Sequence, residues 1–161
     1  MTTVRLYGPQ DERQFRDIAV QNYIEQFQDI RSADPDDPAI QDYLTHIIQT
    51  QESGKGIILL AERESRLTGF VSLLRPDKNT ADNASESAYA FMSDLFVIPE
   101  CRHQGVGSLL ASKLEEQARV MGATNVALRV AAENEGARHF YINKQYQEKF
   151  IVMSKGLSGH K

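Results

Sequence analysis

Apolar and polar positions recur along the chain with two periods, and each period predicts one kind of element. Residues 3–8 (TVRLYG) alternate as a short strand does, and Gly8 with Pro9 forms a turn signal at its end. Apolar side chains then recur on one helical face over about residues 11–28 and again over about 39–50. Between these helices, the prolines and aspartates of residues 32–38 (SADPDDP) favour a turn.

The rest of the pattern predicts further strands and two more helices. Apolar runs at 56–62 and 67–74 predict a strand pair, and the small polar residues of 76–87 predict a mobile surface loop. A long, mostly buried strand is predicted over 89–99, ended by Pro99, and an amphipathic helix over 106–121, capped by Gly122. A strand over 125–130, a short helix over 134–144 and one or two closing strands over 146–157 complete an α/β chain.

Composition limits the class of protein. The 161 residues suit a single domain spanning 1–161, with 41% hydrophobic and 25% charged residues. No apolar run approaches the roughly 18 residues of a membrane helix, and the first residues do not resemble a signal peptide. A single cysteine, Cys101, forms no disulfide within the chain, so we expect a cytoplasmic protein. The net charge of −4 argues against nucleic-acid binding, and no histidine or cysteine spacing indicates a metal site.

The stretch RHQGVGS, residues 102–108, is the strongest candidate for chemistry. A strand, a glycine-rich turn and a helix form a common anion site, because the first helical amides lack partners and carry partial positive charge. A dinucleotide-binding loop requires a third glycine where this chain has Leu110, and a nucleotide phosphate loop requires a lysine before Ser108. A tight turn without any ligand remains the alternative for the two glycines alone.

Residues 95–118 (LFVIPECRHQGVGSLLASKLEEQA) resemble the acetyl-CoA signature of the GNAT superfamily of N-acyltransferases. In that pattern a strand ends in Val-x-Pro, and Arg/Gln-x-x-Gly-x-Gly/Ala precedes a helix. Residues 134–146 are similar to the family's second segment, Asn-x-x-Ala-x-x-x-Tyr. The resemblance implies a mixed, mostly antiparallel sheet of six to seven strands flanked by about four helices, with splayed central strands.

The resemblance also implies which residues bind acetyl-CoA. Backbone groups of the central strand would pair with the pantetheine arm, the glycine loop would hold the pyrophosphate, and the later helix would lie along the cofactor. The expected cofactor-binding residues are Leu95, Phe96, Val97, Arg102, His103, Gln104, Gly105, Val106, Gly107, Ser108, Asn134, Ala137 and Tyr141. The chain departs from the family pattern at His103, where glycine is frequent, and at Gln145-Tyr146, where Gly-Phe is usual. Asn134 is equally suited to be a helix N-cap.

The implied reaction transfers an acetyl group from acetyl-CoA to an amine by direct attack, without a metal. Tyr141 is the expected acid that assists the departing thiolate. Asp94 or an ordered water is the candidate base, and strand alternation predicts that at most one of Ser93 and Asp94 faces the site. The acidic turn with Asp34, Asp36 and Asp37 suits either a cationic acceptor or plain solvation.

The acceptor stays open between small-molecule and protein or peptide amines. The expected partners are therefore acetyl-CoA and an amine, with neither nucleic acid nor membrane, and a homodimer is compatible with the resemblance. A module of the same fold that senses acyl-CoA without turnover is the alternative function.

Overall fold

Five strands and four helices follow one another in the order that the hydrophobic pattern predicts. A computed structural model describes residues 1–27, 34–76 and 88–159. Its strands are β1 (Thr3–Leu6), β2 (Gly56–Arg63), β3 (Arg66–Leu74), β4 (Tyr89–Val97) and β5 (Asn125–Leu128). Its helices are α1 (Glu12–Gln26), α2 (Pro38–Glu52), α3 (Val106–Val120) and α4 (Glu135–Asn143), with short 3-10 turns at Pro9–Asp11 and Pro99–Cys101.

The strands form one mixed sheet in the order β1-β2-β3-β4-β5. The first four strands are antiparallel to their neighbours, whereas β5 runs parallel to β4. Parallel neighbours need a crossover, and α3 supplies it between β4 and β5. This topology confirms the prediction of a mixed, mostly antiparallel sheet flanked by helices.

Both faces of the sheet are buried because its side chains alternate between two layers of helices. On one face Ile58, Leu60 and Phe70 join a cluster with the apolar stripes of α1 and α2. Leu59 and Val71, which point the other way, are also buried. The apolar stripe of α3 covers β2, β3 and β4 on that second face.

The chain divides into two compact units between Leu128 and Arg129. The first unit contains the sheet and α1 to α3, and the second contains α4 and the residues after it. The single domain expected from the sequence stays a prediction.

The closing strands predicted over 146–157 are wrong. The structure assigns no strand to these residues, and the side chains of Phe150, Ile151, Val152 and Met153 are 79–92% exposed. The apolar residues there are consecutive rather than alternating, and a strand also requires a neighbour for its backbone groups. The described sheet therefore has five strands instead of six to seven. Residues 77–87 of the loop predicted over 76–87 lie outside the described residues. The same holds for residue 28, at the end of the first predicted helix, and for residues 32–33, at the start of the predicted turn.

Candidate functional site

A bulge in β4 shapes the middle of the sheet. The register with β3 pairs Ser72 with Asp94 and Leu73 with Met92, which leaves Ser93 as one extra residue in β4. A bulge of this kind interrupts the alternation of side chains. Ser93 and Asp94 are both among the residues that line one cavity. The expectation that at most one of them faces the reacting groups stays a prediction.

The strand β5 pairs along its whole length with only the first four residues of β4. Their register runs from Tyr89 and Asn125 to Met92 and Leu128, and β4 continues to Val97 without β5 in the described pairing. On the opposite edge, Leu95, Phe96 and Val97 remain paired with β3. Gly69 allows this close approach, because an added Cβ there would lie 2.5 Å from the Phe96 carbonyl oxygen. One edge of residues 95–97 is thus held by β3, and β5 ends before it reaches the other edge.

Asp94 is fixed in place by neutral hydrogen-bond donors. Asn22 Nδ2 donates to Asp94 Oδ1 at 3.0 Å, and Ser72 Oγ donates to Asp94 Oδ2 at 3.1 Å. Asn22 Nδ2 also donates to the hydroxyl of Tyr43 at 3.1 Å. Desolvation, followed by the nearby Asp94 carboxylate, raises the pKa of Tyr43 well above its usual range, so this phenol stays protonated.

A cavity of about 300 Å³ opens beside this cluster, between α1, α2 and strands β2 to β4. Its walls are largely aromatic and aliphatic. The rings of Phe27 and Tyr43 lie with their centroids 4.7 Å and 5.1 Å from that of Tyr23. Asp94 is the one carboxylate among the described residues that line it.

The loop after β4 leads into α3 through left-handed backbone. Gly105 is the N-cap of α3 with φ of 83°, and a Cβ built on it would meet nothing within 4 Å. The helix begins at Val106, so the amides of Val106, Gly107 and Ser108 lie in its first turn, where no preceding helical carbonyl is available. His103 also has a positive φ, of 59°, which is the conformation glycine adopts most readily.

The side chains of this loop bind to the protein itself. Arg102 Nε donates to the Val97 carbonyl at 2.8 Å, and its Nη2 pairs with Glu25 on α1 at 2.6 Å. Gln104 donates to the Glu100 carbonyl at 3.1 Å and accepts from Arg63 at 3.0 Å. The guanidinium of Arg102 therefore anchors the end of β4 to α1, and these two bonds use two of its five N–H donors.

The second unit contains the other predicted site residues. Asn134 is the N-cap of α4, and its side chain accepts from the Ala137 amide at 3.1 Å, which confirms the capping role. Tyr141 follows Ala137 by one helical turn and lies edge-on to the rings of Phe140 and Tyr146. Contacts of Asn134, Ala137 and Tyr141 with a cofactor stay a prediction.

Three polar residues of the Asp94 cluster were missed by the sequence analysis. Asn22 is 3% exposed on the apolar stripe of α1, and Ser72 is 5% exposed within an otherwise apolar strand. Tyr43 was assigned to the apolar face of α2. Each of the three carries a polar group at a position that the hydrophobic periodicity assigns to the core. Because buried polar groups are normally hydrogen-bonded, this is the sequence signal that could have identified them.

The acidic turn before α2 has a local structural role. Asp37 caps α2 by accepting from the Ala39 amide at 2.8 Å, and Asp34 accepts from the Asp36 amide at 3.0 Å. These bonds favour the interpretation as a turn. Within residues 1–27, 34–76 and 88–159, no group of three metal-ligating side chains is assembled, and no helix is long and apolar enough to cross a membrane.

The fold and the site define a class of protein: a mixed α/β sheet whose central strand leaves its parallel neighbour beside a glycine loop and a helix start. The model of the acetyltransferase (GNAT) family matches residues 14–145, so the chain belongs to this family. The resemblance seen in residues 95–118 and 134–146 is confirmed.

Related proteins agree with this assignment. An uncharacterised N-acetyltransferase of Methanocaldococcus jannaschii is 31% identical over 110 residues, which cover 68% of this chain and 46% of the relative. An uncharacterised N-acetyltransferase of Bacillus subtilis is 31% identical over 97 residues, or 60% of this chain and 62% of the relative. The chain thus matches less than two thirds of either relative's length. The PaiA N-acetyltransferase from Thermoplasma acidophilum, solved in complex with coenzyme A, shares the fold with a TM-score of 0.68 and 19% identity, covering 89% of this chain and 88% of that one.

Proposed function

We propose that this chain is an N-acetyltransferase that moves the acetyl group of acetyl-CoA to a primary amine of a small molecule, a protein or a peptide. One observation carries the proposal. The edge of β4 that β5 leaves at Met92 runs directly from the cavity at Ser93 and Asp94 toward the glycine loop that opens α3. A donor along that edge would meet an acceptor in that cavity.

The backbone of the first unit fits the donor. Residues 95–97 of β4 have one edge that β5 does not cover, and an extended pantetheine arm can pair there as a strand would. The amides of residues 103–108 suit the pyrophosphate, because Gly105 is open to its surroundings and the helix start favours anions. Asn134, Ala137 and Tyr141 are proposed to contact acetyl-CoA on the strength of the family pattern.

The chemistry requires two proton movements. The amine must lose a proton before its lone pair attacks the thioester carbon, and we assign that proton to Asp94 or to a water that Asp94 holds. The backbone amide of Val97 or a neighbour polarises the carbonyl oxygen during attack. The attacking nitrogen then loses its second proton to water, the carbon–sulfur bond breaks to give the amide, and the sulfur leaves as a thiolate that Tyr141 assists.

Tyr141 acts best as a hydrogen-bond donor to the developing thiolate. Full proton transfer from a tyrosine with a pKa of about 10 to a thiolate with a pKa of about 8.5 is uphill by about 2 kcal/mol. A hydrogen bond that strengthens as charge develops lowers the barrier without completing this transfer.

The test is the release of free thiol from acetyl-CoA with a panel of amines, together with direct measurement of acetyl-CoA binding. We expect amine-dependent release, and we expect Tyr141→Phe to lower kcat by about a hundredfold while leaving acetyl-CoA affinity within a factor of about two. Tyr89→Phe removes a half-exposed phenol from β4 and serves as the matched control. Tight acetyl-CoA binding without release for any amine would instead identify a sensor, and a fully active Tyr141→Phe would remove Tyr141 from the chemistry.

A further inference from the structure

Asp94 is partly buried and differs from the buried carboxylate of Asp11 in having no cationic partner among the described residues. Asp11, on the 3-10 turn before α1, accepts two bonds from the Arg5 guanidinium, each of 2.8 Å. The side chains that hydrogen-bond Asp94 among the described residues are those of Asn22, Ser72 and Tyr43, and all are neutral. The charge of Asp94 is therefore oriented by the protein but is not neutralised by it.

A carboxylate held in this way is suited to receive a cation. Each carboxylate oxygen has two lone-pair directions, so the bonds from Asn22, Ser72 and Tyr43 leave one of the four acceptor positions of Asp94 for a ligand. Because these donors orient the carboxylate in advance, a ligand would not have to order it on binding. An ammonium group that lines up with Asp94 would form a charge-assisted hydrogen bond at a partly desolvated site.

The cavity walls determine what kind of molecular body can carry the ammonium group. Tyr23, Phe27 and Tyr43 form a cluster of three rings on one side, and Ile47 with Leu74 adds aliphatic surface. The described lining contains one carboxylate, that of Asp94, and no lysine or arginine, and its other polar side chains include Gln26, His46 and Gln51. A single ammonium therefore meets a full opposite charge at Asp94, whereas a second charged group on the ligand would meet no carboxylate, lysine or arginine among the described lining residues.

From these features we infer the class of acceptor, an inference that rests on the transferase activity proposed above. The acceptor is a primary amine with a single cationic centre on a compact aromatic or apolar body. Its ammonium binds Asp94, and its body packs against Tyr23, Phe27 and Tyr43. The volume of about 300 Å³ lies at the small end for ligand pockets, in keeping with a body of about one ring.

The experiment compares three probes that share an amine and differ in charge and body. The probes are 2-phenylethylamine, L-phenylalanine, which adds a carboxylate, and spermidine, which adds ammonium groups and lacks the ring. Each is titrated calorimetrically into the full chain without acetyl-CoA, and each is then assayed for acetylation. We expect 2-phenylethylamine to bind at least about tenfold more tightly than the other two, and to show the highest kcat/KM.

Two variants test whether 2-phenylethylamine binds to Asp94 and to the aromatic rings beside it. Asp94→Asn keeps the shape of the side chain, and its amide can still hydrogen-bond Ser72 and Asn22, but it removes the negative charge. We expect this variant to bind 2-phenylethylamine about tenfold or more weakly than the wild type does. Because no turnover occurs in the titration, this loss reports on the anchor and is separate from any role of Asp94 as a base. Phe27→Ala should weaken 2-phenylethylamine and leave methylamine unchanged. Asp42→Asn, an exposed carboxylate on α2, is the control, and thermal melting verifies that each variant is folded.

The outcomes separate the inference from the proposed function. Tighter binding or faster acetylation of spermidine or L-phenylalanine overturns the acceptor class and leaves the transferase proposal intact. Binding of 2-phenylethylamine that is unchanged in a folded Asp94→Asn variant also overturns the inference. Acetyl-CoA binding without thiol release for any amine overturns the transferase proposal, while the titrations still decide what the cavity binds.

Discussion

At the scale of single residues, two carboxylates show how surroundings assign different roles to one chemical group. The side chain of Asp11 is 7% exposed, and it accepts a bond from the Gly8 amide besides the two from Arg5. The Arg5 hydrogen bonds hold the pKa of Asp11 below its ordinary value of 3.8. Asp11 therefore stabilises the fold, whereas Asp94 is held by neutral donors and is proposed to bind a ligand.

We predict that Asp11→Asn lowers the free energy of unfolding at neutral pH by about 1–2 kcal/mol, since it weakens charge-assisted bonds to Arg5. A lowered folded-state pKa contributes stability that is present above about pH 4 and is lost as the pH falls below it. The difference in free energy of unfolding between the wild type and Asp11→Asn should therefore become smaller in acid. Urea unfolding at pH values from 7 to 2 measures this difference. Glu12→Gln, at the adjacent and exposed position, should change stability by less than about 0.5 kcal/mol. A gap that stays constant with pH would contradict this account.

At the scale of elements, α2, α3 and α4 end in the same backbone turn, but the residue with positive φ that follows the helix is not the same in all three. Gly54 after α2 and Gly122 after α3 have positive φ and close paired backbone bonds to the last helical turn. Gln145 adopts the same conformation after α4, with φ of 71°, and its amide and that of Tyr146 donate to Ile142 and Tyr141. This arrangement is the Schellman motif, in which glycine is the usual residue.

We predict that Gln145→Gly stabilises the end of α4 by about 0.5–1 kcal/mol. Removal of a left-handed penalty of about 1–2 kcal/mol is partly offset by the added freedom of glycine in the unfolded chain, about 0.4–1 kcal/mol. Hydrogen exchange of the Gln145 and Tyr146 amides is the measurement, and both should slow. Gln145→Ala keeps a Cβ in the same conformation and should bring no such gain. Faster exchange in the glycine variant would show that the Gln145 side chain itself stabilises the turn.

Periodicity predicted each described helix and strand up to β5 to within a few residues, and the longer of these segments bury one face or both. The bulge at Ser93 could not be predicted, since it depends on how β4 pairs with β3 and not on the sequence of β4 alone. The Asp94 cluster was missed for a similar reason: Asn22, Ser72 and Asp94 lie far apart in sequence and meet only after the sheet and α1 are packed. The closing strands were predicted wrongly because an apolar run does not show whether a partner strand exists.

At the scale of the whole molecule, the proposed donor and acceptor sites lie along consecutive residues of β4. Ser93, the extra residue of the bulge, and Asp94 both line the cavity, and the next residues of β4 have an edge that β5 does not cover. The glycine loop then begins α3 with open backbone amides. The account therefore requires that the first turn of α3 binds the phosphates of acetyl-CoA.

The most direct test of this central claim is the affinity for acetyl-CoA of the wild type and of Gly107→Val, measured by calorimetric titration. Gly107 lies in the first turn of α3, where valine is compatible with the helix but its methyl groups would cover the neighbouring amides. We predict that the wild type binds acetyl-CoA and that Gly107→Val, with an unchanged melting temperature, binds it at least about tenfold more weakly. Gly156→Val, at an exposed position after α4, should bind as the wild type does. Equal affinity of the wild type and a folded Gly107→Val would contradict the account, because it would remove this helix start from the acetyl-CoA site.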